Sequence, residues 1–447
     1  MTVILRKLAP QSDKQAFWLS FFLCLFVCGL ILFVVSPITG LSLSKRFGKG
    51  NDGYIQLARS LVASDGYVFK KGDPPVFNRP PLYPVFLMPV ALFPEELQRY
   101  VIVIPQSILI GLIGMLIFRI TRQLYSKNTA LIALSIFLVN PWVYWATKTP
   151  MITVLQTFLY IFFFYFVAIE LFILIGLNEP AGKYRSAFRI LGLGVFGAGL
   201  SLIHAAMLPV VFIFMFLLFI TALLKNKKRL LIEFIPIIVV FCFIVPWTYR
   251  NWVVFHRFIP IAGGGGLNYF NGNVHWLGIE KEPQKPGESY IDASLRVMGI
   301  KGTEANDIQW RGFKDIKNEE LADKKMIEHI KNHPDLFLKK VFLNSIEFYF
   351  PAVVNPFLAV KSVTIEQWGL SIFHAFLWVL AIAGVFYCPR KGLLLLTAIF
   401  FYAIWYFPFA TFIGHALYAF STIPFLCILS AAGLLCLFKK ERRPHNS

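Results

Sequence analysis

Apolar runs of about twenty residues, the length that crosses a hydrocarbon core, recur from one end of the chain to the other. They cover Phe17 to Ile38, Val101 to Ile120, Thr129 to Tyr144, Val154 to Ile175, Ile190 to His204, Pro209 to Leu224, Leu230 to Trp247, Ser371 to Tyr387, Leu393 to Phe409 and Tyr418 to Leu437. The first is too long for a signal-peptide core and lacks a small-residue cleavage site, so it is expected to be an uncleaved span. Two further stretches are apolar but differ in kind. Leu82 to Phe93 is short and broken by Pro84 and Pro89, and Phe337 to Val353 is aromatic and amphipathic. Both predict half-inserted or interfacial helices. From Asn51 to Pro84, apolar positions Tyr54, Leu57, Ala58 and Leu61 recur at helical spacing, and Gly66, Gly72, Asp73, Pro74 and Pro75 then force a turn. Between Tyr249 and Lys340 no run can span; Gly, Asn, Glu, Lys and Asp dominate, and Glu319 to Lys331 predicts an exposed amphipathic helix ending before His333-Pro334. The expected fold class is an all-α polytopic membrane protein with about ten transmembrane helices, interfacial helices and an extracytoplasmic loop domain. The expected division is a membrane module over 1–247 with an outer loop at 39–84, a polar loop or small domain over 248–340, and an interfacial helix with the last spans over 341–447.

Composition sharpens this picture. The chain is 57% hydrophobic and only 15% charged, where soluble domains carry roughly a quarter charged residues. A net charge of +19 would fit a nucleic-acid binder, but the basic residues gather at alternate ends of the apolar runs. Arg6, Lys7 and Lys14 precede the first; Arg119, Arg122 and Lys127, then Arg185 and Arg189, then Lys225, Lys227, Lys228 and Arg229 flank later ones. This is the positive-inside pattern. It puts both termini in the cytoplasm, and Asn51 to Pro84 and the 248–340 segment on the far side, and it removes the reason to expect nucleic acid. The six cysteines lie in or beside apolar runs, so no disulfide framework is expected.

The candidate chemistry lies on the outer face. Asp52 is a carboxylate directly after an apolar span, where desolvation is costly; it is a functional acid, a solvated loop aspartate or the cap of the helix beginning near Tyr54. Arg79 precedes Pro80-Pro81 in a stiff extended segment and has the geometry to grip a phosphate; the alternative is an arginine snorkelling to the headgroups. A third block runs from Pro246-Trp247-Thr248-Tyr249-Arg250-Asn251 through Gly263 to Gly266, Asn268, and Asn271-Gly272-Asn273. Its glycines can form an anion-binding nest or a flexible turn, its asparagines can bond sugar hydroxyls, and Arg250 is a second phosphate candidate or an interface anchor. His415 is the histidine kept in reserve. No P-loop, GxGxxG after a strand, GxSxG, HExxH or CxxC occurs.

Together these blocks resemble the multi-spanning glycosyltransferases of the GT-C fold, and most nearly the bacterial ArnT-like and protein O-mannosyltransferase-like group, the glycosyltransferase family 39-like proteins. The resemblance rests on Asp52-Gly53-Tyr54, the helix Leu57-Ala58-Arg59-Ser60-Leu61, Gly66-Tyr67, Arg79-Pro80-Pro81-Leu82-Tyr83-Pro84, Trp247-Thr248-Tyr249-Arg250-Asn251, Gly272-Asn273 and His333-Pro334. It implies a polyprenyl-phosphate sugar donor, inversion at the anomeric carbon and Asp52 as base. Arg79 and Arg250 are then expected at the donor phosphate, and Tyr54, Tyr83, Asn251, Asn268, Asn273 and His415 at the substrates. No required cofactor is expected, and a divalent cation is left open. The acceptor is a glycan, lipid or protein, and the expected location is the bacterial inner membrane with the site facing outward. Two departures stand out. Relatives carry an acid near the start of the fourth span, where Thr147 to Thr153 has none, and an arginine before the last span, where this chain has His415-Ala416-Leu417-Tyr418. They keep open a catalytically inactive scaffold of the same fold. A transporter or flippase for lipid-linked saccharides is the other alternative; its ionisable groups belong at mid-membrane, where this chain shows little besides Glu170.

Overall fold

A computed structural model describes residues 13–35, 52–177, 182–276, 285, 288–300, 308–309, 312–350, 365–387, 389–405 and 418–438. His415 lies outside the described residues, as do parts of the 39–84 outer loop and the 248–340 segment. Each apolar run of the sequence is mainly helical in its described part, Thr129 to Tyr144 being broken at Asn140. The first helix, α1 (Asp13–Leu30), ends in a widened turn over Ile31–Val35. The outer loop carries α2 (Tyr54–Val62), α3 (Leu82–Ala91) and α4 (Glu95–Val101). The central bundle follows with α5 (Val103–Leu124), α6 (Lys127–Val139), α7 (Pro141–Lys148), α8 (Thr153–Leu174), α9 (Lys183–Ile203), α10 (Met207–Lys225) and α11 (Leu230–Phe255). The polar segment holds α12 (Gly265–Asn271), α13 (Tyr290–Met298), a two-residue hairpin of β1 (Ile308–Gln309) and β2 (Gly312–Phe313), α14 (Ile316–Asn332) and α15 (Pro334–Tyr349). The last helices are α16 (Ile365–Tyr387), α17 (Pro389–Trp405) and α18 (Ile423–Phe438).

Among the described residues, seven helices are long and apolar enough to cross a membrane, and an eighth if α6 and α7, bent by 56°, form one span. The bend has a local cause. Asn140 adopts an extended backbone, its side chain accepts the N–H of Trp142, and Pro141 starts the new helix without an N–H of its own. Gln106 then fills the acceptors at the end of α7, donating to Thr147 O at 2.9 Å and Thr149 O at 3.0 Å. At ten residues, α3 reaches about 15 Å, about half the thickness of a hydrocarbon core.

Small residues let helix backbones touch, which is how spans associate where lipid removes the hydrophobic drive. A Cβ on Gly433 of α18 would lie 1.8 Å from Leu380 O of α16, and one on Gly384 of α16 would lie 2.2 Å from Leu429 O. Buried hydrogen bonds tie the remaining helices: Gln156 of α8 donates to the Tyr402 hydroxyl of α17 at 2.9 Å, and Tyr349 of α15 shares a 2.7 Å bond with Thr422. Glu170, at the far end of α8, is fully buried and paired with Arg189 and Arg229, and Arg229 also reaches Glu233 at 3.5 Å.

α11 differs from the expectation. It does not stop at Trp247 but runs through Pro236 and Pro246 to Phe255. The hydroxyl of Thr248 makes a bond to Ile244 O at 3.1 Å within the turn containing Pro246, and the block read as a loop start is the last two turns of a helix.

Candidate functional site

Asp52 and Gly53 both take the left-handed backbone conformation, with φ of 45° and 82°. For a residue with a side chain this region is sparsely populated and costs about 1 kcal/mol or more, so something must hold it. Arg79 does. Its Nε donates to Asp52 O at 2.9 Å, its Nη1 to Asn78 O at 2.8 Å, and its guanidinium lies 5.7 Å from the Tyr54 ring centre. Gly53, not Asp52, occupies the N-cap position of α2.

Tyr67 fixes Arg79 in turn. Its buried hydroxyl donates a forked bond to Arg79 O at 3.0 Å and Pro80 O at 2.9 Å. Burial, with Tyr54 adding to it, pushes this phenol well above its ordinary range against the opposing charges of Arg79 and Arg250, so it remains a donor. Arg250 closes the other side. Its guanidinium stands 4.9 Å from Trp247, 5.1 Å from Phe255 and 5.4 Å from Tyr67, ring centres, and donates to Val76 O at 3.2 Å. Two arginines from segments 171 positions apart in sequence thus flank one tyrosine. Both spend donors on backbone carbonyls of the outer loop.

The remaining expected site residues divide by burial. Tyr54 meets Tyr83 edge-on at 5.1 Å, and Tyr83 has no exposed surface. Asn251 is likewise at 0% exposure and donates to Ile259 O at 3.0 Å and Ile261 O at 3.3 Å. With Trp247 bonded to Ile261 O and Thr248 to Pro260 O, both at 2.7 Å, it zips the end of α11 to the following strand of loop. Asn273 is buried, and Asn268 donates to Gly264 O one turn back. Tyr83, Asn251 and Asn273 are therefore enclosed within the framework rather than set on an open face, Asn251 through its bonds to the loop carbonyls.

The glycine run departs from the nest read in the sequence. Gly266 N donates to the Asp323 carboxylate at 2.7 Å, and a Cβ on Gly266 would lie 2.2 Å from the backbone of Ala322. The anion at these amides is supplied by α14 of the same chain. Beside it stands Glu319, which sequence reasoning placed on an exposed face and which the structure buries to 3% exposure. Burial pushes its carboxyl up to about 8 and the neighbouring Asp323 adds to the rise; the N–H groups of Phe313 and Gly266 and the Arg79 guanidinium oppose it. Neither oxygen completes a well-formed hydrogen bond among the described residues. The net effect is to favour the neutral carboxyl over the carboxylate at this buried position. No local signal marks it: its burial comes from the contact of α12 with α14. Among the described residues no three His, Cys, Asp or Glu side chains come together to hold a metal ion.

No family model matches the sequence, and no curated protein matches it. Solved structures do. The Archaeoglobus fulgidus oligosaccharyltransferase in its apo form aligns with a TM-score of 0.54 at 13% identity, over 96% of this chain and 51% of its own. The same protein tethered to an acceptor peptide containing the NVT sequon aligns at 0.55 and 13% identity, over 96% and 50%. ArnT from Cupriavidus metallidurans bound to undecaprenyl phosphate aligns more loosely, at 0.40 and 13% identity, over 94% and 78%. This chain spans about half the length of the archaeal structures; with them it shares its fold, the GT-C membrane fold anticipated from the sequence.

Proposed function

We propose that this protein is a membrane glycosyltransferase that moves a sugar from a polyprenyl-phosphate carrier to an acceptor hydroxyl on the outer face, with Asp52 as base. The observation that carries the reading is the backbone of Asp52: a residue in the left-handed region just before α2, held there by Arg79 and through it by Tyr67. In the proposed step the acceptor oxygen forms a bond to the anomeric carbon as the bond from that carbon to the phosphate oxygen breaks. The electron pair leaves with the phosphate, the hydroxyl proton goes to the Asp52 carboxylate, and one displacement inverts the centre. A phosphate is already a good leaving group, so no paired acid is required, unlike glycoside hydrolysis. Arg79 is proposed to set Asp52 in place and to add charge toward the departing phosphate, with Arg250 contributing from its aromatic cage.

The buried pairing of Glu170 with Arg189 and Arg229 speaks against the transporter alternative, since the one carboxylate first read at mid-membrane is neutralised within the protein. Asp52→Asn keeps the shape and removes the base. Membranes carrying it, incubated with radiolabelled polyprenyl-phosphate sugars, should transfer at least about 10²-fold less label than wild type at equal protein level. Undiminished transfer in that variant would falsify the assignment.

A further inference from the structure

A wide opening among the described residues is lined by none of the residues around Asp52. A cavity of about 820 Å³ opens between α5, α8, α9 and α17, with Arg119, Gln123, Tyr165, Phe166, Arg185 and Phe188 among its walls. It belongs to the opposite end of the bundle. α5 starts beside the outer loop, where Arg59 of α2 bonds Gln98 of α4 at 2.6 Å, and Arg119 stands 16 residues after Val103, about 24 Å further along the helix. The same end carries Lys225, Lys227, Lys228 and Arg229, the basic side of the membrane pattern.

We infer that this cavity is a binding site for an anionic phospholipid of the cytoplasmic leaflet, an acyl chain entering between the helices and the phosphate meeting Arg119 and Arg185. Three observations select that occupant. The volume fits a ligand pocket, which runs to about 300–1,000 Å³, and its lining is mainly aromatic and aliphatic. The mouth faces lipid: Tyr184 and Phe188 beside it are 90% and 70% exposed on a helix that crosses the membrane. The charge is unbalanced in one direction. Arg189 in the wall is answered by Glu170, which also pairs with Arg229. Arg119 rests 5.6 Å above the Tyr165 ring and Arg185 is exposed, and among the described residues neither is bonded to a carboxylate. Basic pockets between spans on the cytoplasmic side are sites for lipid phosphates, whose leaflet carries the anionic lipids. A soluble anion gains nothing from an aromatic wall that opens sideways into hydrocarbon.

The test uses the full-length protein in detergent and a phosphatidylglycerol bearing a photoreactive acyl chain. Crosslinking is expected within 184–189, competed by unlabelled phosphatidylglycerol and not by phosphatidylcholine. Arg119→Ala with Arg185→Ala should weaken the competition about 30-fold, two phosphate-facing charges being lost. Lys70→Ala with Lys71→Ala, exposed on the outer loop, should leave it unchanged. Equal competition by both lipids, or labelling elsewhere, overturns the assignment in the wild-type protein alone. Stronger displacement by a polyprenyl phosphate than by phosphatidylglycerol overturns it in favour of the carrier lipid. None of these outcomes depends on Asp52 or on transfer activity.

Discussion

At the scale of single residues, the site is a chain of restraints that ends on one carboxylate. Tyr67 holds the backbone of Arg79, Arg79 holds the backbone of Asp52, and Arg250 stands on the far side of Tyr67. Asp52, Arg79 and Arg250 were legible in the sequence because a charged group next to a long apolar run has few inexpensive places to go. Tyr67 was visible only as part of Gly66-Tyr67, and Glu319 not at all, since a glutamate in a lysine-rich helix reads as solvated until Gly266 brings α12 against that face. Glu319 carries a pH signature. Between the ordinary carboxyl value of 4.5 and about 8 the folded protein keeps a proton that the unfolded chain releases. Stability must therefore fall as pH rises through that window and level off above it. Thermal unfolding midpoints measured from pH 5 to 9 should show this decline in wild type and a shallower one in Glu319→Gln; parallel curves would remove Glu319 as its source.

Helices were the most readable elements, and their ends the least. Ten apolar runs predicted ten crossings; among the described residues seven helices, or eight with the bent pair, are long and apolar enough, and Pro246 misled the reading of α11, whose proline is accommodated inside the helix. The break between α6 and α7 was hidden for the opposite reason: Asn140-Pro141 lies within one apolar run, and its 56° bend depends on Asn140 capping the next helix. The contact of α16 with α18 was not legible either, because Gly384 and Gly433 acquire meaning only when their helices meet. Gly433→Leu should cost about 3 kcal/mol or more, the upper range for overpacking, and appear as a lowered unfolding midpoint and aggregation in detergent. Gly199→Ala, whose added methyl meets the flexible side-chain ends of Leu159 at 3.3 Å and Leu82 at 3.7 Å, is the control and should change little.

For the molecule as a whole, charge placement predicts orientation. Cysteines introduced at Lys71 and Lys228, both exposed, should react differently with a membrane-impermeant maleimide: Lys71→Cys in intact cells, Lys228→Cys only after permeabilisation. The reverse would place Asp52 in the cytoplasm and remove the basis for an outward-facing site. Orientation also gives meaning to the length of α11. Its 26 residues make a rod of about 39 Å, and the hydrocarbon it crosses is about 30 Å thick. Arg250 stands 20 residues beyond Leu230, about 30 Å along that rod, so with Leu230 at one face of the hydrocarbon the aromatic cage would stand at the headgroups of the other. A substrate whose phosphate already floats at that depth arrives by lateral diffusion, with its isoprenoid tail never leaving the bilayer. A water-borne donor would have to descend through the headgroup layer to reach the same height.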